Sequence, residues 1–228
     1  MGVDGPSLQV VSVNVAMPAR LGERRGRTVY SAIAKQPVPG DSVWLDEVNL
    51  RGDRQGDPRV HGGPDKAVYC YVFEHFADWS RELGRPFGPG GFGENLTLSG
   101  ATEATACIGD VWRWGDAVVQ VAQPRYPCFK LAMHTQVADI EARLIAAGRC
   151  GWYLRVLRLG EGPVRDAAIT VEHRDEARLS VLDAHRAFTS DDPRDTARIA
   201  ALVDHPDLAD AYRRMLRRRA LIAENARP

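Results

Sequence analysis

Apolar residues along most of this chain fall in short runs, not in long helical stripes. Residues 8–15, Leu-Gln-Val-Val-Ser-Val-Asn-Val, are β-branched and partly alternating, and similar runs recur near 42–50, 67–72, 94–98, 111–114, 117–122 and 152–158. This predicts strands. Gly115-Asp116 separates Trp114 from Ala117, a two-residue connection suited to a hairpin. Helical spacing interrupts the pattern twice: Phe76, Trp79 and Leu83 predict a helix stopping at Gly84, and Val137, Ile140 and Leu144 one stopping at Gly148. Beyond about residue 170 the periodicity turns helical. Ser180 and Asp183 have capping-box spacing, Asp192-Pro193 offers a cap with Pro at the first helical position, and Leu208, Ala211, Tyr212, Met215 and Ile222 form an apolar stripe.

The expected fold is mainly β with helices, an α+β chain with a barrel-like β core over residues 1–168 and a small three-helix module over 169–228. A length of 228 residues suits one main domain with an accessory piece. The balance of 30 basic and 30 acidic residues gives no global field for nucleic acid or an anionic membrane, so anion recognition must be local. No apolar run has membrane-span length and the start carries no signal-peptide pattern, so a cytoplasmic protein is expected. Cys70, Cys107, Cys128 and Cys150 are far apart, which argues against zinc ribbons, iron–sulfur centres and a disulfide framework.

Candidate chemistry centres on Gln123-Pro124-Arg125-Tyr126-Pro127-Cys128-Phe129-Lys130. A thiol beside Arg125 and Lys130 is expected to ionise, and the thiolate is the nucleophile and the metal ligand. If the extended run continues, Cys128 and Lys130 share a face. The plainer reading is a small buried hydrophobe closing a strand. The chain has 27 arginines but only three lysines, Lys35, Lys66 and Lys130; an ammonium is apt where a compact charge meets a phosphate or a metal-bound oxygen, although chance also accounts for three residues. The loop 57–66 gathers Asp57, Arg59, His61, Asp65 and Lys66 around Gly62-Gly63, where backbone amides can turn toward an anion. Residues 85–93 are rich in Gly and Pro and read as a flap ahead of Glu94-Asn95. His75, at a predicted helix start, is a proton-transfer candidate, as imidazoles commonly are. Arg213, Arg214, Arg217, Arg218 and Arg219 cluster near the C-terminus, as a solvated helix face or a site for an acidic partner. Hydrolase motifs are absent.

Taken in order, Ser31-Ala32-Ile33-Ala34-Lys35, His61-Gly62-Gly63-Pro64-Asp65-Lys66-Ala67, Gly93-Glu94-Asn95-Leu96, Cys107-Ile108-Gly109-Asp110, Gln123 to Leu131 and Gly151-Trp152-Tyr153 resemble the MOSC family, specifically its YiiM-like branch. The resemblance implies a MOSC-type β-barrel and a pterin-based molybdenum cofactor whose metal takes a thiolate from Cys128. It implies that Lys35, Lys66, Arg125 and Lys130 meet the cofactor's phosphate, and that Ser31, His61, Asp65, Glu94 and Asn95 line the pocket or orient its ligands. It also implies two-electron reduction of N-hydroxylated compounds such as hydroxylaminopurines, with His75 or Asp65 relaying protons. Because the chain lacks flavin and iron–sulfur signatures, electrons are expected from a separate flavin-type reductase. Pyridoxal phosphate is not expected, since the desulfurase domain of full-length sulfurases is absent, and the oligomeric state stays open. Two departures stand out: Cys70-Tyr71-Val72 where relatives often read His-Tyr-Pro, and Tyr30 before Ser31. Cys70 thereby becomes a second thiol to locate relative to the pocket.

Two other readings compete. In one, the chain is a non-catalytic cofactor carrier or sulfur-transfer module holding a persulfide on Cys128. In the other it is a metal-free thiol oxidoreductase, which needs a resolving cysteine such as Cys70.

Overall fold

A computed structural model describes residues 7–57, 62–189 and 196–225. In chain order its strands are β1 (Leu8–Val15), β2 (Ala19–Arg24), β3 (Arg27–Ser31), β4 (Gln36–Pro37), β5 (Ser42–Leu45), β6 (Val68–Val72), β7 (Leu96–Ser99), β8 (Val111–Trp114), β9 (Ala117–Pro124), β10 (Trp152–Arg158), β11 (Gly160–Pro163) and β12 (Ala167–His173). The α-helices among the described residues are α1 (Glu74–Leu83), α2 (Phe129–Thr135), α3 (Ile140–Ala147), α4 (Val181–Thr189), α5 (Thr196–Asp204) and α6 (Asp210–Asn225). Seven strands close a barrel in the order β12-β8-β9-β10-β6-β7-β1, with β1 pairing back to β12. Closure removes the unpaired edges that invite association. All barrel neighbours are antiparallel except β6 and β7.

Strand β6 shows why these residues build this shape. All five are buried, and alternate side chains enter different cores. Val68, Cys70 and Val72 join Val119, Val121 and Trp152 in one cluster, while Tyr69 and Tyr71 join Phe76, Trp79, Phe92, Leu131, Ile140 and Leu144 in the other. Cys70 therefore faces the first core and is fully buried, and that burial pushes its thiol well above the ordinary range. It is not a second thiol at the pocket, which removes the resolving group from the thiol-oxidoreductase reading.

The expected strands from 8–15 to 152–158 all appear, as do the Gly115-Asp116 hairpin and the helices ending at Gly84 and Gly148. The extended run does not carry on to Cys128. It ends at Pro124, and Phe129–Thr135 is helical, a seven-residue element too short to show a period in sequence. The β2–β3 hairpin was equally hidden, because it buries only Val29 and reads as polar.

The capping box forms as spaced: the Asp183 amide donates to Ser180 Oγ at 3.0 Å, and the Ser180 amide donates to Asp183 Oδ2 at 3.1 Å. Asp192-Pro193 lies outside the described residues. Ala184, Tyr212 and Leu216 from the C-terminal helices belong to the same buried cluster as the barrel interior, and the Ala209 amide donates to the Ala122 carbonyl at 3.0 Å. No helix among the described residues is long and apolar enough to cross a membrane.

Candidate functional site

An open concavity of about 630 Å³, solvent space included, lies beside the barrel. Cys128 lines it at the start of α2, half-buried, with the extended backbone (φ −132°, ψ 165°) usual for the residue that caps a helix. Lys130, Arg125, Lys66 and Lys35 also line it, together with Ser31 and Asn95. These four cations, from three different stretches of chain, thus converge on one concavity with the thiol.

Arg125 is the most telling of them. Only 6% of it is exposed, its guanidinium lies 4.9 Å from the centre of the Tyr69 ring, and it hydrogen-bonds the Tyr153 hydroxyl. Its Nη1 has no hydrogen-bond partner among the described residues. Burial pulls its pKa down, but the neighbouring Tyr69, Tyr153, Cys128 and Cys150 together push it up, and the net direction is upward. A permanent buried cation with an unused donor faces this pocket, and an anion is the natural partner.

Lys35 is ion-paired with Asp53. Asp53 also accepts the Ala16 amide at 2.8 Å and Asn95 Nδ2 at 2.9 Å, and Asn95 Oδ1 accepts the Tyr69 amide at 3.1 Å. This network ties three parts of the wall together. Burial lowers Lys35 below the ordinary lysine value, and Asp53 works against that. Lys66 ends the short turn Pro64–Lys66, and burial lowers it likewise, opposed by Asp65.

Glu94 is fully buried and does not line the pocket. Its carboxylate accepts the Gly90 amide, the Phe92 amide at 3.1 Å and the Thr97 hydroxyl at 2.8 Å, so it clamps the glycine-rich loop. Burial raises its pKa, against those hydrogen bonds. The clamped loop supplies Phe92 and Gly93 to the wall. Gly93 has φ +77°, and a Cβ there would come within 2.6 Å of Ile33 Cγ1, so glycine lets the loop press against the Ser31–Lys35 segment.

The MOSC domain matches residues 57–174. The chain is 40% identical over 205 residues to the uncharacterized protein YflK of Bacillus subtilis, covering 90% of each. The chain belongs to the MOSC domain family. A crystal structure of YiiM from Geobacillus stearothermophilus superposes with a TM-score of 0.76 at 34% identity, covering 93% of this chain and 98% of that one, consistent with the YiiM-like branch. A protein of Gibberella moniliformis named "Reductase" is 35% identical over 169 residues, 72% of this chain but 29% of its own length.

MOSC proteins are associated with molybdenum cofactor binding, and the residues here suit such a group. A soft sulfur is available to a metal at Cys128, and the orphaned Nη1 of Arg125 with three lysines can receive a phosphate. Not every expected residue reaches this MOSC pocket. His75 pairs through Nε2 with Glu103 Oε2 at 2.8 Å, and Glu103 also accepts the Gly151 amide at 2.8 Å, so His75 ties α1 to the start of β10 instead. Asp65 pairs with Arg155 Nε at 2.9 Å and is not among the pocket-lining residues. His61 lies outside the described residues.

Sequence reasoning missed Asp53, Tyr69 and Phe92 in the wall, and it named the Gly151-Trp152-Tyr153 motif without assigning Tyr153 to the pocket. Nothing local marks Asp53 out from other aspartates. A second cluster, Asp175, His205 and Asp207, brings its ligand atoms within 4.8 Å of one another. Both imidazole nitrogens of His205 are engaged, Nε2 with Asp175 Oδ1 at 3.0 Å and Nδ1 with the Asp207 amide at 3.2 Å, so hydrogen bonds hold this cluster together.

Proposed function

We propose that this protein is a molybdenum-cofactor-dependent reductase of N-hydroxylated compounds, with the Cys128 thiolate as the protein ligand of the metal. The observation that carries this reading is the convergence of Cys128 with buried Arg125, whose Nη1 lacks a partner among the described residues, in one open pocket. The overall conversion takes R–NHOH, two electrons and two protons to R–NH2 and water, breaking the N–O bond. When bound, the cofactor supplies the two-electron chemistry.

The chain's own residues bind and orient. Arg125 holds a fixed positive charge that does not titrate in the working range. Lys35, one of the pocket-lining residues, is held in place by its ion pair with Asp53 and needs no rotamer search. Tyr69, Phe92 and Tyr153 provide aromatic wall against which a flat ring can lie. Burial raises both tyrosines above the ordinary phenol range and keeps them neutral, so they add no negative charge beside an anionic cofactor. The fungal relative named "Reductase", in which the matched segment is a minor part of a longer chain, supports a redox role shared with other protein. Here that other protein is a separate flavin-type reductase.

The test is turnover. Protein made in cells that synthesise the cofactor should reduce hydroxylaminopurine to the aminopurine with dithionite-reduced methyl viologen as donor. No conversion by cofactor-loaded protein, together with an added sulfur on Cys128 by mass spectrometry, would favour the sulfur-transfer alternative.

A further inference from the structure

The β2–β3 hairpin is a basic patch on a chain of zero formal charge. Between residues 19 and 31 it carries Arg20, Arg24, Arg25 and Arg27 against a single acid, Glu23. Glu23 is paired with Arg20 at 2.8 Å, and among the described residues no ion pair engages Arg24, Arg25 or Arg27. Arg25 and Gly26 form the turn, both with positive φ (50° and 70°), which presents Arg25 at the tip. Met17 and Tyr30 flank the arginines and are each 57% exposed. Arginine, tyrosine and methionine together are the composition enriched at protein interfaces.

The hairpin is also tied to the reactive end of the molecule. The Arg24 guanidinium lies 4.1 Å over the ring of Phe129, the residue after Cys128. Gly22 comes close to Met133, so β2 is seated on α2, the helix that Cys128 starts. Strand β3 ends at Ser31 in the pocket wall, and Arg54 and Lys130 continue the positive lining. A protein resting on this hairpin sits at the mouth of the Cys128 pocket, where electron transfer across a short gap is possible.

We propose that the β2–β3 hairpin is the docking surface for the acidic face of the flavoprotein that delivers electrons to the pocket. The inference rests on the proposed function, because it takes the pocket to be a redox site with an external donor. Reduced flavin gives up two electrons, and these are the two consumed when the N–O bond breaks. Opposite charges steer the encounter and leave a contact weak enough to release after each delivery. The exposed arginines Arg214, Arg217 and Arg218 on α6 are an equally basic surface that does not line this pocket, and they serve as the control.

The experiment compares wild type, Arg25→Glu/Arg27→Glu and Arg217→Glu/Arg218→Glu, all cofactor-loaded, with two donors. Reduced methyl viologen needs no docking and should drive all three equally. Reduced flavodoxin, an acidic flavoprotein, is the protein probe. Its turnover with wild type should fall roughly tenfold between about 20 and about 300 mM salt, and by a similar factor at low salt in the hairpin variant only. Calorimetric titration of flavodoxin onto the same proteins without substrate gives a readout independent of turnover, and only the hairpin variant should lose binding. Flavodoxin binding or turnover that is absent from wild type, unaffected by the hairpin reversal, or lost equally in the α6 variant overturns the proposal. Failure with viologen as well sinks the reductase reading instead, and the calorimetric arm still decides the docking surface.

Discussion

Lys35 and Asp53 form an ion pair in the pocket wall with only 7% and 2% of their side chains exposed. Breaking a buried pair from one side leaves a desolvated charge behind, which typically costs about 3–5 kcal/mol. Asp53→Asn is therefore expected to lower stability by about 3 kcal/mol in urea unfolding. Lys35→Met/Asp53→Asn, which leaves no charge unpaired and keeps an acceptor for the Ala16 amide, should be milder. A loss under about 1 kcal/mol in the single variant would mean that the pair is solvated in solution.

Arg125 offers a second handle. Its Nη1, without a partner among the described residues, is a donor kept for an anion, and one charge-assisted hydrogen bond is worth about 1.5–3 kcal/mol. Arg125→Met keeps much of the volume and should lower pterin retention at least tenfold or so, measured by fluorescence of the released pterin, with near-native circular dichroism. Retention equal to wild type would show that the donor serves only the fold.

Gly151 joins the pocket to the barrel. Its carbonyl accepts the Arg125 amide at 3.0 Å, its φ is +70°, and a Cβ there would lie 2.2 Å from the Cys70 carbonyl oxygen. Gly151→Ala should destabilise by about 2–4 kcal/mol, since backbone and not a flexible side chain blocks the methyl group. An unchanged melting temperature would contradict this geometry.

Acid sensitivity follows from His185. Its Nε2 hydrogen-bonds the Ile145 carbonyl at 2.8 Å, and burial lowers its pKa below the ordinary 6.5, with that bond and Glu103 opposing and Arg186 adding to the drop. The folded value lies below the unfolded one, so the neutral ring's contribution is complete above 6.5 and is lost as pH falls through the folded value. Burial acts in the same direction on His134. The melting temperature of wild type should fall more steeply from about pH 7 to about pH 5 than that of His185→Gln. Parallel curves would assign the acid sensitivity elsewhere.

Much of this architecture was legible because its strands are β-branched and its helices stop at glycines, signals that act within a few residues. Cys128, Arg125 and the three lysines were legible for a related reason: each is chemically distinctive where it stands. What stayed hidden depends on contacts between distant parts of the chain. Asp53 matters because Lys35 and Asn95 come to it, and His75 looked catalytic until Glu103, 28 residues on, took its imidazole. The short helix after Cys128 was masked by its length, and the arginine-rich hairpin by having almost no buried face.

The proposed function requires that sulfur at position 128 hold the metal. Elemental analysis of protein from cofactor-producing cells, wild type beside Cys128→Ala, tests it most directly. Near-stoichiometric molybdenum in wild type, lost from the variant while both keep the same melting temperature as apoprotein, is the expected result; molybdenum retained equally by both would contradict it.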